Sequence, residues 1–139
     1  MSYRPVPIEP VTPQILERDW GQEIVVAETP DYTGKILLYR AGRAGGLQYH
    51  VRKDETFCLH SGEAWVDFDD GSGRLTRRPM TAGMSFRIPP GAVHRFEAIT
   101  DCVVFEASTN VRDDRVRMEA WYGEPDVGGL PSTVPEPTR

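Results

Sequence analysis

A chain of 139 residues, 39% hydrophobic and 27% charged, is long enough to bury one core without disulfide or metal staples. Its net charge of -5 and pI near 5.2 argue against a nucleic-acid or anionic-membrane surface as the main partner. No apolar run approaches the roughly 20 residues of a membrane span, and no secretory leader is visible before the first prolines. Cys58 and Cys102 read as buried reduced thiols, so the expected compartment is the cytoplasm.

Residues 1–13 carry Pro5, Pro7, Pro10 and Pro13 alternating with Val6, Ile8 and Val11, which excludes helix and predicts an extended arm. Gln14 to Asp19 is expected to form a helical turn, broken at Trp20-Gly21. Strands are expected at Glu23–Thr29 and Lys35–Arg40, with turn chemistry at Pro30-Asp31 between them. Further strands follow at 47–51, 55–60, 64–69, 74–78, 84–88, 95–99, 102–107 and 115–121. Short strands recurring about every 8–12 residues, with no internal repeat, predict an all-β barrel or sandwich. Residues 14–123 read as one domain, and 124–139, rich in Pro, Gly, Ser and Thr, as a flexible tail.

One stretch gathers chemistry. Gln48 and His50 are two apart, so a strand points both side chains to one face, and Glu55 follows after a short loop. An amide oxygen, an imidazole and a carboxylate are three corners of a metal site. His94, directed by the stiff Pro89-Pro90-Gly91 turn, supplies a fourth. Such a set suits Zn²⁺, Mn²⁺, Fe²⁺ or Ni²⁺. Counting by twos from Glu55 sends Phe57 and Leu59 inward and Thr56, Cys58 and His60 outward. Phe86, Ile88 and Phe96 read as barrel filling, and Trp20 as a plug at the barrel bottom.

Gly42, Gln48, His50, Glu55 and Gly62, followed by Gly83, Pro89, Gly91 and His94, resemble the two motifs of the cupin superfamily. Gln48 stands where the first motif histidine is usual, and Ala98 where the second motif has asparagine. The resemblance implies a double-stranded β-helix, or jelly-roll, barrel. Gln-x-His with four residues before Glu is similar to the mannose-6-phosphate isomerase-like cupins. Arg18 to Glu23 and the closing Asp114 to Gly123 resemble that family's flanks, with Ala120 replacing an acidic residue. The implied function is a metal-dependent aldose–ketose isomerase of sugars or sugar phosphates. The alternatives are a cupin that binds a sugar without turnover, and an Fe(II) oxygenase. Lys53, Arg117 and Glu106 are the candidate catalytic groups, each a candidate for the base; Lys53 is alternatively suited to hold an anion at the mouth, and the resemblance implies that Arg117 in the closing segment faces the sugar. A homodimer formed through the outward strand face and the arm is implied by the same resemblance.

Overall fold

The computed structural model describes residues 1–139. Its strands are β1 (Gln14–Arg18), β2 (Gly21–Glu28), β3 (Thr33–Tyr39), β4 (Gln48–His50), β5 (Glu55–Ser61), β6 (Glu63–Asp69), β7 (Leu75–Thr81), β8 (Ser85–Ile88), β9 (His94–Ala98), β10 (Cys102–Ser108) and β11 (Arg115–Arg117). A single helical turn, α1 (Glu119–Tyr122), follows. The strands pair antiparallel into a six-stranded sheet, ordered β1-β2-β3-β10-β5-β8, and a five-stranded sheet, ordered β11-β4-β9-β6-β7. Late strands lie between early ones in both sheets, as a jelly roll requires. No helix is long and apolar enough to cross a membrane.

Period-two patterning decides what faces inward. Along β5, Glu55, Phe57 and Leu59 are buried while Thr56 and His60 are exposed; along β10, Cys102, Val104 and Ser108 are buried and Phe105 is exposed. Thirteen residues, among them Leu59, Val66, Met80 and Val104, form the main core between the sheets. Full burial of a Leu or Met contributes about 1.5–3 kcal/mol each. A satellite cluster of Leu47, Val93, Val116 and Met118 seals the β4–β11 side. Followed from Leu59 back to Glu55, β5 runs out of the sealed core into a polar cavity.

Gly62 closes the first motif. It has φ +98°, and a Cβ there would lie 2.4 Å from the Asp101 carbonyl oxygen, so only glycine makes the turn from β5 to β6.

Two segments differ from the sequence-based expectation. Gln14–Arg18 is a strand, not a helical turn: the segment is too short to hold a helix alone, and it finds β2 as a ladder partner in full register. The strand expected over Arg115–Trp121 stops at Arg117. There the Leu47 carbonyl takes the Met118 N–H, and the chain coils into α1, ending at Gly123 with φ 67°.

The glycine- and proline-rich tail lies against β11. Thr133 N–H donates to the Arg115 carbonyl (2.9 Å), Arg115 N–H to Thr133 Oγ1 (3.0 Å) and Arg117 N–H to Ser132 Oγ (2.8 Å). The edge of the five-stranded sheet is thereby covered. Gly129 lets the strap pass close: with φ +98°, its Cβ would sit 2.5 Å from the Gly46 nitrogen. In this segment glycine serves close approach.

Candidate metal centre

β4 and β9 are neighbours in one sheet, and β5 faces them from the other. Gln48 is registered directly opposite His94, which puts the two side chains together on the inner face. His50 and His94 thus meet Glu55 across the barrel, and one ligand atom from each lies within 4.8 Å of the others. His94 Nε2 is 3.0 Å from Glu55 Oε1, and His50 Nε2 is 3.6 Å from the same oxygen. All three residues are buried, and Gln48 lines the same cavity.

Hydrogen bonds behind the rings fix their tautomers. The His94 Nδ1–H donates to the Ala92 carbonyl (3.0 Å), which only accepts, so the Nε2 lone pair of the neutral ring faces Glu55. His50 Nδ1 lies 3.1 Å from Asp114 Oδ1, and Asp114 Oδ2 also accepts the N–H groups of Arg52 (2.6 Å) and Lys53 (3.0 Å). Burial works against the Asp114 charge, but these donors outweigh it and keep the carboxyl ionised below its ordinary range. His50 therefore donates from Nδ1 and presents Nε2 to the cluster.

Two imidazole nitrogens and a carboxylate oxygen converge, an arrangement that can take a cation or a shared proton. Burial pushes His50 down to about 4 despite Glu55 beside it. Burial opposes a charge on His94 too, but Glu55 prevails and raises it. Glu55, though buried, is held well below the carboxylate range by His94 and Lys53. Without metal a proton shared between His94 and Glu55 fills the gap. The donor set, with the Gln48 amide oxygen beside it, fits a borderline divalent ion.

The cluster opens into a cavity of about 140 Å³. Its floor is aromatic: Trp20 stacks on Tyr39 with centroids 4.1 Å apart, and Phe96 tilts against Tyr39 at 4.5 Å. Trp20 is buried in the core, and it also lines the cavity. One wall is a row of alternating charges. Arg18 meets Glu23 (2.8 Å), Glu23 meets Lys35 (2.6 Å), Lys35 approaches Glu106 (3.9 Å), and Lys53 bridges Glu106 (3.2 Å) and Glu55 (3.0 Å). Burial disfavours the Lys53 ammonium, yet Glu106 and Glu55 overcome it and hold its pKa above the usual lysine value. Burial raises Glu106, and Lys53 only partly offsets it.

Lys53 and Glu106 are thus brought to the cluster. Arg117 is registered opposite Gln48, but its guanidinium is taken up by Glu119 (Nε to Oε1, 3.0 Å), Asp126 (2.9 Å) and the Leu130 carbonyl (3.1 Å). It packs beneath Gly46, where a Cβ would come within 2.8 Å of its Nε, and stands outside the cavity lining. His60 points outward, 5.1 Å from Phe105, and Cys58 is half-buried on the same outer face.

Asp114, Arg115, Glu23, Lys35 and Tyr39 join the site without having been singled out from the sequence. A signal existed for two of them. Glu23 with Val25, and Lys35 with Leu37 and Tyr39, are charges at inward positions of otherwise apolar strands, an expensive placement unless paired or used.

A family model described as Cupin domain matches residues 36–108, more than half of the chain. No curated protein matches in sequence. Among solved structures, the capsular polysaccharide assembling protein CapF from Staphylococcus aureus superposes with a TM-score of 0.66 at 20% identity over 76% of this chain. The chain spans only about a third of that protein, 34% of its length. KdgF from Halomonas sp. gives 0.59 at 26% identity, covering 67% of this chain and 81% of its own. A cupin-superfamily sugar phosphate isomerase from Silicibacter pomeroyi gives 0.56 at 17% identity, covering 65% and 59%. By sequence and by fold, the chain belongs to the cupin superfamily.

Proposed function

We propose that Gln48, His50, Glu55 and His94 hold one divalent ion and that the cavity takes a small polar metabolite, a sugar or sugar derivative, for aldose–ketose isomerisation. The observation that carries this reading is the convergence of His50 Nε2, His94 Nε2 and Glu55 Oε1 on one point with both rings' tautomers fixed from behind. The similarity to a cupin described as a sugar phosphate isomerase accords with it. A bound ion would supply Lewis-acid stabilisation to adjacent substrate oxygens. Glu106, its pKa raised by burial, is suited to move a proton between neighbouring carbons, and Lys53 to donate a hydrogen bond to the oxygen that gains charge. Arg117 acts in this reading as a positioning residue, bracing the wall at Gly46.

Incubation with aldoses, ketoses and their phosphates in D₂O, with Zn²⁺, Mn²⁺, Fe²⁺ or Ni²⁺ supplied, tests it. Solvent deuterium at carbon 1 or 2 is expected, and Glu106→Gln should slow its entry by about 10²–10⁴-fold. Ligand binding without exchange under any metal would favour the second reading, a sugar-binding cupin without turnover. One observation supports that second reading: Lys53 already neutralises the best-placed base at 3.2 Å.

The homodimer belongs to this proposal as well. On the single chain, Val6, Ile8 and Val11 are 82%, 99% and 75% exposed, an apolar arm suited to a second copy's outer sheet face. Light scattering is expected to give twice the chain mass, and a monomer would end the idea. A cytoplasmic location is proposed on the same terms, both cysteines being free thiols.

A further inference from the structure

Along the charged wall every cation has a carboxylate: Arg18 has Glu23, Lys35 has Glu23, and Lys53 has Glu106 and Glu55. Arg115 has the weakest partner. Its side chain is only 13% exposed, and its sole ionic contact is Asp113 at 3.8 Å, itself 74% exposed. Arg115 Nε donates to the Pro131 carbonyl (3.0 Å), while the terminal nitrogens donate to no protein acceptor. Burial leads the causes that lower the pKa of the guanidinium, with Asp113 and Glu23 opposing it and Arg18 and Arg117 adding to it. Arg115 is half-buried, and its two NH₂ groups, unengaged by any protein acceptor, are left to solvent or to a ligand in the cavity that the residue lines.

Its position is fixed relative to the candidate metal centre. Arg115 is registered directly opposite His50, so both side chains leave the sheet on the same face. Its backbone is clamped on both sides by Thr133. Arg115 lines the inner cavity and also an adjoining vestibule of about 260 Å³.

We propose that Arg115 anchors the carboxylate of the ligand, so that the cavity takes a small hydroxy or keto acid of the sugar-acid class rather than a neutral sugar. This rests on the metal-and-sugar reading above and narrows its substrate. A planar guanidinium fork matches a planar carboxylate with two parallel hydrogen bonds. The single weakly paired charge fits a monoanion. A phosphate dianion calls for further free donors, and the neighbouring cations are already paired. With the carboxylate on Arg115, the hydroxyl or carbonyl oxygens of the acid lie on the His50 side, toward the metal ligands.

Calorimetric titration of D-gluconate, D-glucitol and D-glucose 6-phosphate tests this on the wild type, Arg115→Gln and Arg115→Lys, each metal-free and metal-loaded, with metal content measured on every sample. Metal-free wild type is expected to bind gluconate about 10- to 100-fold more tightly than glucitol. Arg115→Gln should lose that preference, and Arg115→Lys, which keeps the charge without the fork, should retain part of it. If Arg115→Gln does not fold, a full preference retained by Arg115→Lys overturns the fork. Equal binding of gluconate and glucitol by the wild type, or an undiminished preference in folded Arg115→Gln, overturns the proposal. Glucose 6-phosphate bound in preference to gluconate overturns the carboxylate assignment. Arg115-dependent gluconate binding in a protein that takes up no metal would support the anchor and sink the metal reading alone.

Discussion

Alanine at His94 is expected to abolish stoichiometric metal binding while leaving the barrel folded. His94 supplies one of the converging lone pairs, and no other imidazole stands within reach: His60, the remaining histidine, faces outward against Phe105. The sealed core of Leu59, Val66, Met80 and Val104 does not depend on the ring. Asp114→Asn makes the graded comparison. It keeps all the direct ligands but weakens the acceptor that orients His50, so metal affinity should fall by about 10- to 100-fold. Competition with a chromophoric chelator measures both, and a far-UV spectrum and thermal melt in chelator report the fold. Unchanged affinity in His94→Ala would mean that the ion sits elsewhere.

Glu119→Ala should be the most damaging change away from the cavity, at about 3–5 kcal/mol in urea unfolding. Glu119 is buried and accepts from Arg117 Nε through both oxygens at 3.0 Å and from the Leu47 N–H at 3.2 Å. Its removal strands a guanidinium whose remaining carboxylate, Asp126, is 74% exposed, and leaves a buried backbone donor unpaired. The Arg117→Met/Glu119→Leu pair removes both charges together and should recover much of the loss. A cost under about 1 kcal/mol for Glu119→Ala would place the pair among ordinary surface ion pairs. Because Arg117 also holds the Leu130 carbonyl, the variant should loosen the strap over β11 as well.

Strand placement was legible because inward alternation is a local property: Glu55-x-Phe57-x-Leu59 reads the same in sequence and in space. The grouping of His50, Glu55 and His94 was legible because glycine-framed motifs fix each side chain from within a few residues. Partnering over distance was not legible. Gln14–Arg18 became a strand only because β2 offered an edge, and no local pattern announces that. Arg117 and Arg115 are equivalent by periodicity. Which one faces the cavity was decided by Glu119, two residues on, and by Asp126 and Leu130 in a tail whose composition suggested flexibility. Asp114 lay in the closing segment, but its carboxylate finds His50 only because β11 pairs with β4.

Titration of the metal-free protein with Zn²⁺, Mn²⁺, Fe²⁺ and Ni²⁺, run in parallel on His94→Ala, tests the converging-acceptor centre most directly. A single equivalent per chain is predicted for the wild type with at least one of these ions, and no saturable uptake for the variant. No uptake by the wild type, or equal uptake by both, would contradict it.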